Sequence, residues 1–456
     1  MLGEEDERIF EHTMTVVNKK EPILLGIGDL GIMVISLFVA LVVRYQIIPP
    51  AFLIHAHAVP FSIIFIYSLI VFYISGLYGR VISPTRSSIP GAVIRAQVAN
   101  GLIAVALFYF VPGLVVAPKA NLFIYIALST SFLVLWRISS YSLISRRRKS
   151  GALVIGSGSD MDELVAEMSV NPRIGLSCYR RLTGTSPAAD IAPAAASGRV
   201  PFQYIVADMK DRHLDDILPD LYQRFFPRVR IVDADDLYET VFDRIPLSRM
   251  NYAWIMTHVT SVAPLLYDAA KRLTDIVFGL LVGFAACVAW PFVALAVKLE
   301  DGGPVFISQE RIGRGGAPIK IYKFRSMQRS EYGKWLADSD NKVTKIGRFI
   351  RKTRIDELPQ ALAILEGDMS IIGPRADLRG LSERLEKEIP YYSVRTVVAP
   401  GLTGWAQINQ EKPPQSVEET KVRLSYDLYY IKHRSLGLDL RIILRTLKTL
   451  LSRVGM

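Results

Sequence analysis

Asp356 and Glu357 are adjacent carboxylates at the head of the segment LPQALAILEG, framed by Arg351, Lys352 and Arg354 before them and by Arg375 of the triplet GPR after them. Acids, cations and a helix start are together the parts needed to hold a diphosphate, because helix N–H groups and guanidinium groups both bind phosphate oxygens. A carboxylate that attacks phosphorus must overcome repulsion between like charges. Arginines and a divalent metal would offset that repulsion, and Mg2+ is the ion expected on Asp356 and Glu357, since hard oxygen ligands and phosphates suit it. A plainer reading also accounts for the pair. Pro359 falls in the first turn of the helix that the pattern predicts and Gly367 at its end, so Asp356 reads equally as an N-cap and Glu357 as a first-turn acid, worth about 1 kcal/mol.

The elements that must position this site begin with apolar helices. Half of the 456 residues are hydrophobic, which is high for a soluble chain of this length, and the length itself implies two or three domains. Four apolar stretches, near Ile23 to Val43, Pro60 to Leu77, Val98 to Val116 and Leu122 to Leu135, approach the length needed to cross hydrocarbon and predict a membrane α-helical bundle over residues 1–150. A buried helical core in a soluble protein is the alternative. Lys19, Lys20, Arg80, Arg86, Arg95 and the run Arg146, Arg147, Arg148, Lys149 fall on one side of the bundle, against Arg44 and Lys119 on the other, so both ends are expected on the cytoplasmic face. The acidic N-terminus, MLGEEDERIF, lacks the pattern of a cleaved signal peptide. The net charge of +11 suits anionic lipid, phosphorylated substrates or nucleic acid, and charge alone does not choose among them. Cys178 and Cys287 give no disulfide framework or zinc spacing.

Residues 151–246 alternate strand-like and helical patterns: GALVIGSG, then YIVAD, LDDILPDLYQRF and VRIVDADDL. This predicts a Rossmann-like α/β module. Gly156 and Gly158 resemble a dinucleotide loop, but Met161 stands where its third glycine belongs. After a linker, residues 247–270, a fifth apolar run from Ile276 to Val297 has cations on both flanks, Lys271 and Arg272 before it and Lys298, Arg311, Arg314, Lys320, Lys323 and Arg325 after it. That charge pattern predicts a re-entrant membrane helix over about residues 273–299, with Pro291 supplying the kink; a kinked spanning helix is the alternative. The C-terminal LDLRIILRTLKTLLSRV, with Arg441, Arg445, Lys448 and Arg453, is amphipathic and suits either an anionic membrane surface or packing against the core. Trp405 reads as core, or as a sugar or uridine contact.

Collinear motifs follow the fifth run: GPVFISQERIGRGG, IYKFRSM, TKIGRFIRKTRIDELPQALAILEGDMSIIGPRAD and VVAPGLTGWAQIN. Across residues 271–456 they resemble the bacterial sugar transferases, the monotopic polyprenyl-phosphate phosphoglycosyltransferases, and the bundle and α/β module in front resemble the long form of that family. The resemblance implies an α/β-mixed catalytic domain that moves a sugar phosphate from a UDP-sugar to undecaprenyl phosphate at the bacterial inner membrane, among its phospholipids and on the cytoplasmic face. It implies exopolysaccharide, capsule or O-antigen synthesis and no nucleic acid partner. Asp356 matches the family's nucleophile and Glu357 its acidic partner in metal and substrate positioning. Phosphoryl transfer depends on alignment and charge neutralisation, so Lys323, Arg325, Arg351 and Arg375 are the candidate phosphate ligands. The chain departs from the family at Ala376, where a second proline is frequent, and at Trp290, where a serine is, which bears on loop rigidity and on support of the kink. A membrane-bound NAD-dependent nucleotide-sugar dehydratase would need an intact dinucleotide loop and a Tyr-x-x-x-Lys pair, and a non-catalytic scaffold would not need the carboxylates. Which sugar is carried is not legible, and a homodimer through the module or bundle is an open expectation.

Overall fold

The computed structural model describes residues 21–78, 89–110, 119–145, 149–171, 174–182, 202–209, 219, 229–259, 265–300, 302–327, 343–410 and 412–454. Lys19, Lys20, Arg80, Arg86 and Arg146, Arg147 and Arg148, which carry much of the expected orientation signal, lie outside the described residues, as does nearly all of LDDILPDLYQRF. The chain divides into two compact units, Met1–Phe242 and Asp243–Met456.

The first unit opens with α1 (Glu21–Tyr45), α2 (Ala51–Ile74), α3 (Ile89–Phe110) and α4 (Lys119–Ser145), all long and apolar enough to cross a membrane. Met33, Phe61, Phe72, Ala104 and Leu133 form their shared core, while Ile23, Phe52, Val59, Leu102 and Phe123 are exposed. An apolar outer surface of this kind is solvated by hydrocarbon, not by water. Two helices start earlier than the apolar stretches predict. Pro60 lies inside α2, where His57 bonds to the Leu53 carbonyl at 2.9 Å. In α3, Gln97 donates to Ser129 Oγ at 2.8 Å and Asn100 to Gln97 Oε1 at 2.9 Å, so polar side chains at the start of the apolar stretch find partners inside the bundle. Arg137 likewise forms a buried ion pair with Asp29.

Next come β1 (Ser150–Ile155), α5 (Ser159–Val170), β2 (Leu176–Leu182), β3 (Tyr204–Ala207), β4 (Arg230–Asp233) and α6 (Ala234–Phe242). The strands form one parallel sheet in the order β2-β1-β3-β4. Strand β2, LSCYRRL, is not foreseen from its pattern, because it is an edge strand whose arginines interrupt the apolar alternation. Met161 is buried beneath Gly156, its methyl 2.9 Å from the place a Cβ there would occupy, so this side chain fills core in place of a glycine contact.

The second unit contains α7 (Tyr252–His258), α8 (Leu265–Glu300), the antiparallel hairpin β5 (Phe306–Ile312) and β6 (Pro318–Phe324), and α9 (Lys345–Lys352). A 3-10 turn over Ile355–Gln360 leads into α10 (Ala361–Glu366) and β7 (Ser370–Ile372), followed by α11 (Arg379–Glu388), β8 (Gly401–Thr403), α12 (Trp405–Asn409), α13 (Val417–Lys432) and α14 (Leu436–Val454). Strands β7 and β8 pair in parallel. Gly401 and Gly404 press so closely on Gly373 that an added Cβ would come within 2.1 and 2.2 Å of its backbone, which explains the glycines of PGLTGW. The core gathers Ile364, Leu385, Tyr392, Trp405, Leu428 and Ile442. Within the stretch 247–270, read as linker, α7 buries Trp254 in this same core.

Helix α8 runs unbroken for 36 residues through Pro291. Its beginning is tied to the rest of the second unit, with Arg272 donating to the carbonyls of Ile364 and Leu365 at 2.8 and 2.7 Å and Asp275 accepting from Ile371 N at 2.9 Å. Its end is tied there as well. Val293 and Val297 pack on Phe324 and Ile350, and the Glu300 carboxylate accepts from Lys345 N at 2.6 Å and Ile346 N at 3.0 Å. The outward side exposes Leu281, Phe284, Val288, Trp290, Phe292 and Leu295. In α14, Ile442 enters the core while Arg441 and Arg445 lie over the Trp405 ring at 5.0 and 5.3 Å, so these two arginines stack on protein and the core-packing alternative holds for them.

Candidate active site

The 3-10 turn that carries Asp356 and Glu357 does not begin with an aspartate cap. Arg354 occupies the cap position in the left-handed conformation, φ 59°, and neither its side chain nor that of Asp356 caps the turn. For a residue with a Cβ that conformation is a strain of roughly 1 kcal/mol. From this position Arg354 Nη1 donates to Glu357 Oε2 at 3.2 Å. The N-cap reading of Asp356 is therefore set aside. The expected end of the helix is as read from sequence, with Gly367 left-handed at φ 98° behind α10.

Three elements converge on Glu357. Lys323, on the inner face of β6, donates to Oε1 at 3.1 Å, and Arg375, on the loop between β7 and α11, donates to the same oxygen at 3.2 Å, while Arg354 holds Oε2. Burial alone would raise the Glu357 carboxyl, but Arg375, Lys323 and Arg354 together outweigh it and hold the group well below the usual carboxylate range. Burial pushes Lys323 down to about 8, with Arg375 and Arg311 adding to the shift and Glu357 opposing it.

Asp356 differs from its neighbour. Its Oδ1 is buried without a hydrogen-bond partner. Burial, then the charge of Glu357, raise its pKa, against the pull of Lys323, Arg351 and Arg354. The two carboxyls are thus pushed apart, one held as a permanent anion that organises cations and the other left as a more basic, unengaged oxygen. Such an oxygen is placed to act as a nucleophile.

The expected phosphate ligands separate in the same way. Lys323 and Arg375 are in direct contact with Glu357, whereas Arg351, on the exposed last turn of α9, acts on Asp356 through its charge. Arg325 donates to the Met327 carbonyl at 3.2 Å and packs against Gly303, where a Cβ would collide with its guanidinium. Sequence reading counted Arg354 among the cations around the pair without naming it a phosphate ligand, and gave Arg311 no place in the site. Arg311 has a buried guanidinium, pushed down to about 10 by burial and by Arg375. The spacing Arg354-x-Asp356 could have pointed to the first; nothing local marks the second, because its partners lie far along the chain. Trp405 is core, 1% exposed, and its Nε1 donates to the Asp243 carbonyl at 2.8 Å.

For Mg2+, the pair offers the Asp356 carboxylate, whose Oδ1 is buried without a partner, and among the described residues no cluster of three metal-ligating side chains exists. That donor set fits an ion that keeps waters and takes substrate phosphates as ligands, as Mg2+ does.

The family model for bacterial sugar transferases matches residues 266–453. A UDP-N-acetylgalactosamine-undecaprenyl-phosphate N-acetylgalactosaminephosphotransferase of Aeromonas hydrophila is 36% identical over 273 residues, 57% of this chain and 61% of its own length. Two UDP-glucose:undecaprenyl-phosphate glucose-1-phosphate transferases are also similar. That of Escherichia coli is 41% identical over 180 residues, 39% of each chain. That of Caulobacter vibrioides is 40% identical over 189 residues, 41% of this chain and 71% of its own length. The matched region thus spans 61% and 39% of the first two relatives.

Proposed function

The chain belongs to the bacterial sugar transferase family, and from that premise we propose that it moves a sugar 1-phosphate from a UDP-sugar to undecaprenyl phosphate, giving undecaprenyl-diphosphate-sugar and UMP. The observation that carries this reading is the buried, unbonded Asp356 oxygen beside a Glu357 that gathers three cations.

In the first half-reaction an Asp356 oxygen attacks the β-phosphorus of the donor, the bond to the bridging oxygen breaks, and UMP leaves with that oxygen. The sugar phosphate is then held on Asp356 as an acyl phosphate. In the second, a phosphate oxygen of the acceptor attacks the same phosphorus and Asp356 departs as a carboxylate, which makes the kinetics ping-pong. Lys323 and Arg375 meet the donor's phosphates, with Arg351 and Arg325 at the rim, and Glu357 keeps the cations aligned before substrate arrives. Mg2+ held at Asp356, and at Glu357 if that acid yields a cation, would mask charge on the diphosphate.

The enzyme works at the cytoplasmic face of the bacterial inner membrane, in the first membrane step of exopolysaccharide, capsule or O-antigen synthesis. Helix α8 is re-entrant: one polar unit grips both of its ends, and its outward side is apolar. Cysteines at Asp268 and Pro304, in a chain lacking Cys178 and Cys287, should react with an impermeant thiol reagent from the same side of oriented vesicles; labelling from opposite sides would rule re-entry out. The parallel module is Rossmann-like and has no step in the reaction, and homodimerisation through it or the bundle is compatible with this scheme. UDP-glucose and UDP-N-acetylgalactosamine are the first donors to try.

The test is Asp356→Asn in the purified chain with undecaprenyl phosphate. UMP release should fall by about 1,000-fold or more. Activity within a few fold of the parent would reject the mechanism.

A further inference from the structure

The loop that carries Arg375 is held in an unusual way. Four consecutive carbonyls each accept a bond from elsewhere in the second unit: Pro374 from Gly401 N at 2.9 Å, Arg375 from Arg395 Nη2 at 2.8 Å and, from neighbouring residues of β5, Ala376 from Arg311 Nη1 at 2.5 Å and Asp377 from Ile312 N at 3.0 Å. Connecting loops usually leave such groups to water. Here two of the four donors are guanidinium groups, the strongest neutralising donors a side chain can offer to a backbone oxygen.

Arg311 is fixed by the fold around it. Its other Nη donates to Gln309 Oε1 at 2.9 Å, its Nε is buried without a partner, and its backbone bridges to Leu378 just beyond the loop. Two of its five N–H donors are thus engaged inside the protein, and one of them holds the Ala376 carbonyl. Ala376 is itself buried and carries no ring to stiffen the chain, so the backbone next to Arg375 owes its fixed path to these external bonds.

Resting on the reaction proposed above, we propose that Arg311 is a positioning residue for phosphate capture, which clamps the Ala376 carbonyl so that the Arg375 guanidinium is aimed at Glu357 and at the donor's diphosphate. Phosphate capture by a charged fork is sensitive to displacement, and an error near 1 Å is worth about 100-fold in favourable cases. A clamp that acts on aim should therefore affect the phosphate-bearing part of a ligand and spare the rest.

The experiment measures equilibrium dialysis of radiolabelled UDP and of radiolabelled uridine on the full chain in detergent, for the parent and Arg311→Met. The clamp predicts that Arg311→Met weakens UDP binding about tenfold while uridine binding stays within about twofold. Unchanged UDP binding, or equal loss for both ligands, overturns it. If Arg311→Met does not fold, by size exclusion and thermal melting, Arg311→Lys decides: a loss of about threefold for UDP alone supports the clamp, and parent-like UDP binding overturns it. Parent protein that binds UDP yet releases no UMP from any UDP-sugar would sink the reaction and leave the clamp standing.

Discussion

Two ion clusters lie on either side of the loop 374–377, built from the same residue types and used differently. On one side Asp377 accepts from Arg395, Arg423 and Tyr392, and Asp427 accepts from Arg395, giving two carboxylates to two guanidinium groups, all buried. On the other, Glu357 alone holds Lys323, Arg354 and Arg375, with Asp356 unbonded beside it and Arg351 in range. The first cluster is balanced in charge, two acids to two guanidinium groups, and Arg395 also holds the Arg375 carbonyl. The second has more cations than acids and keeps an oxygen uncommitted, which is the condition of a site that awaits an anion. Charge balance, more than burial or residue type, separates an ion cluster that holds a fold from one that does chemistry.

The sharpest way to break the comparison is to unbalance the first cluster. Arg395→Met would leave Asp377 with fewer partners and Asp427 without its guanidinium, and should cost about 3–5 kcal/mol of stability, read by denaturant or thermal unfolding. Glu357→Gln should do the reverse: the fold persists, and UMP release falls by about 100-fold, because neutralising the hub releases three cations from their alignment. A melt that drops as far as in Arg395→Met would erase the distinction between the clusters.

A smaller effect should appear with pH. Lys323 has its proton held to about 8 against the usual 10.5, so kcat/KM should decline as pH rises through about 8, and Lys323→Arg should abolish that limb because arginine stays charged. Stability moves the other way over the same window. Between about 8 and 10.5 the unfolded chain retains the proton that the folded chain has lost, so folding becomes more favourable as pH rises. On the acid side, the raised Asp356 places the loss of activity above the usual carboxylate value of 3.8, as the nucleophile takes up a proton.

How far these clusters could be read beforehand follows from what sequence spacing encodes. Asp356, Glu357 and Arg375 stand in contiguous motifs, and an apolar run of membrane length needs no partner to be recognised, so the grouping of these side chains and the long apolar helices were legible. Arg311 and Arg395 were not, because the groups they hold, among them carbonyls 65 and 20 residues away, are remote in sequence. The cap position went to Arg354 and not to Asp356, since one left-handed residue before a proline-containing turn leaves no periodic trace. For α14 the sequence suited lipid and core packing equally, and the Trp405 ring beneath Arg441 and Arg445 decides for these two; the side chain of Arg453 lies outside those described.

The most direct measurement incubates the purified enzyme with UDP-sugar labelled at the β-phosphorus, without acceptor, followed by rapid quench and peptide mapping. Label should appear on the peptide that contains Asp356, one equivalent at most per chain, and should discharge on addition of undecaprenyl phosphate. Full turnover with that peptide unlabelled at every time point would contradict the assignment of Asp356 as the group that carries the sugar phosphate.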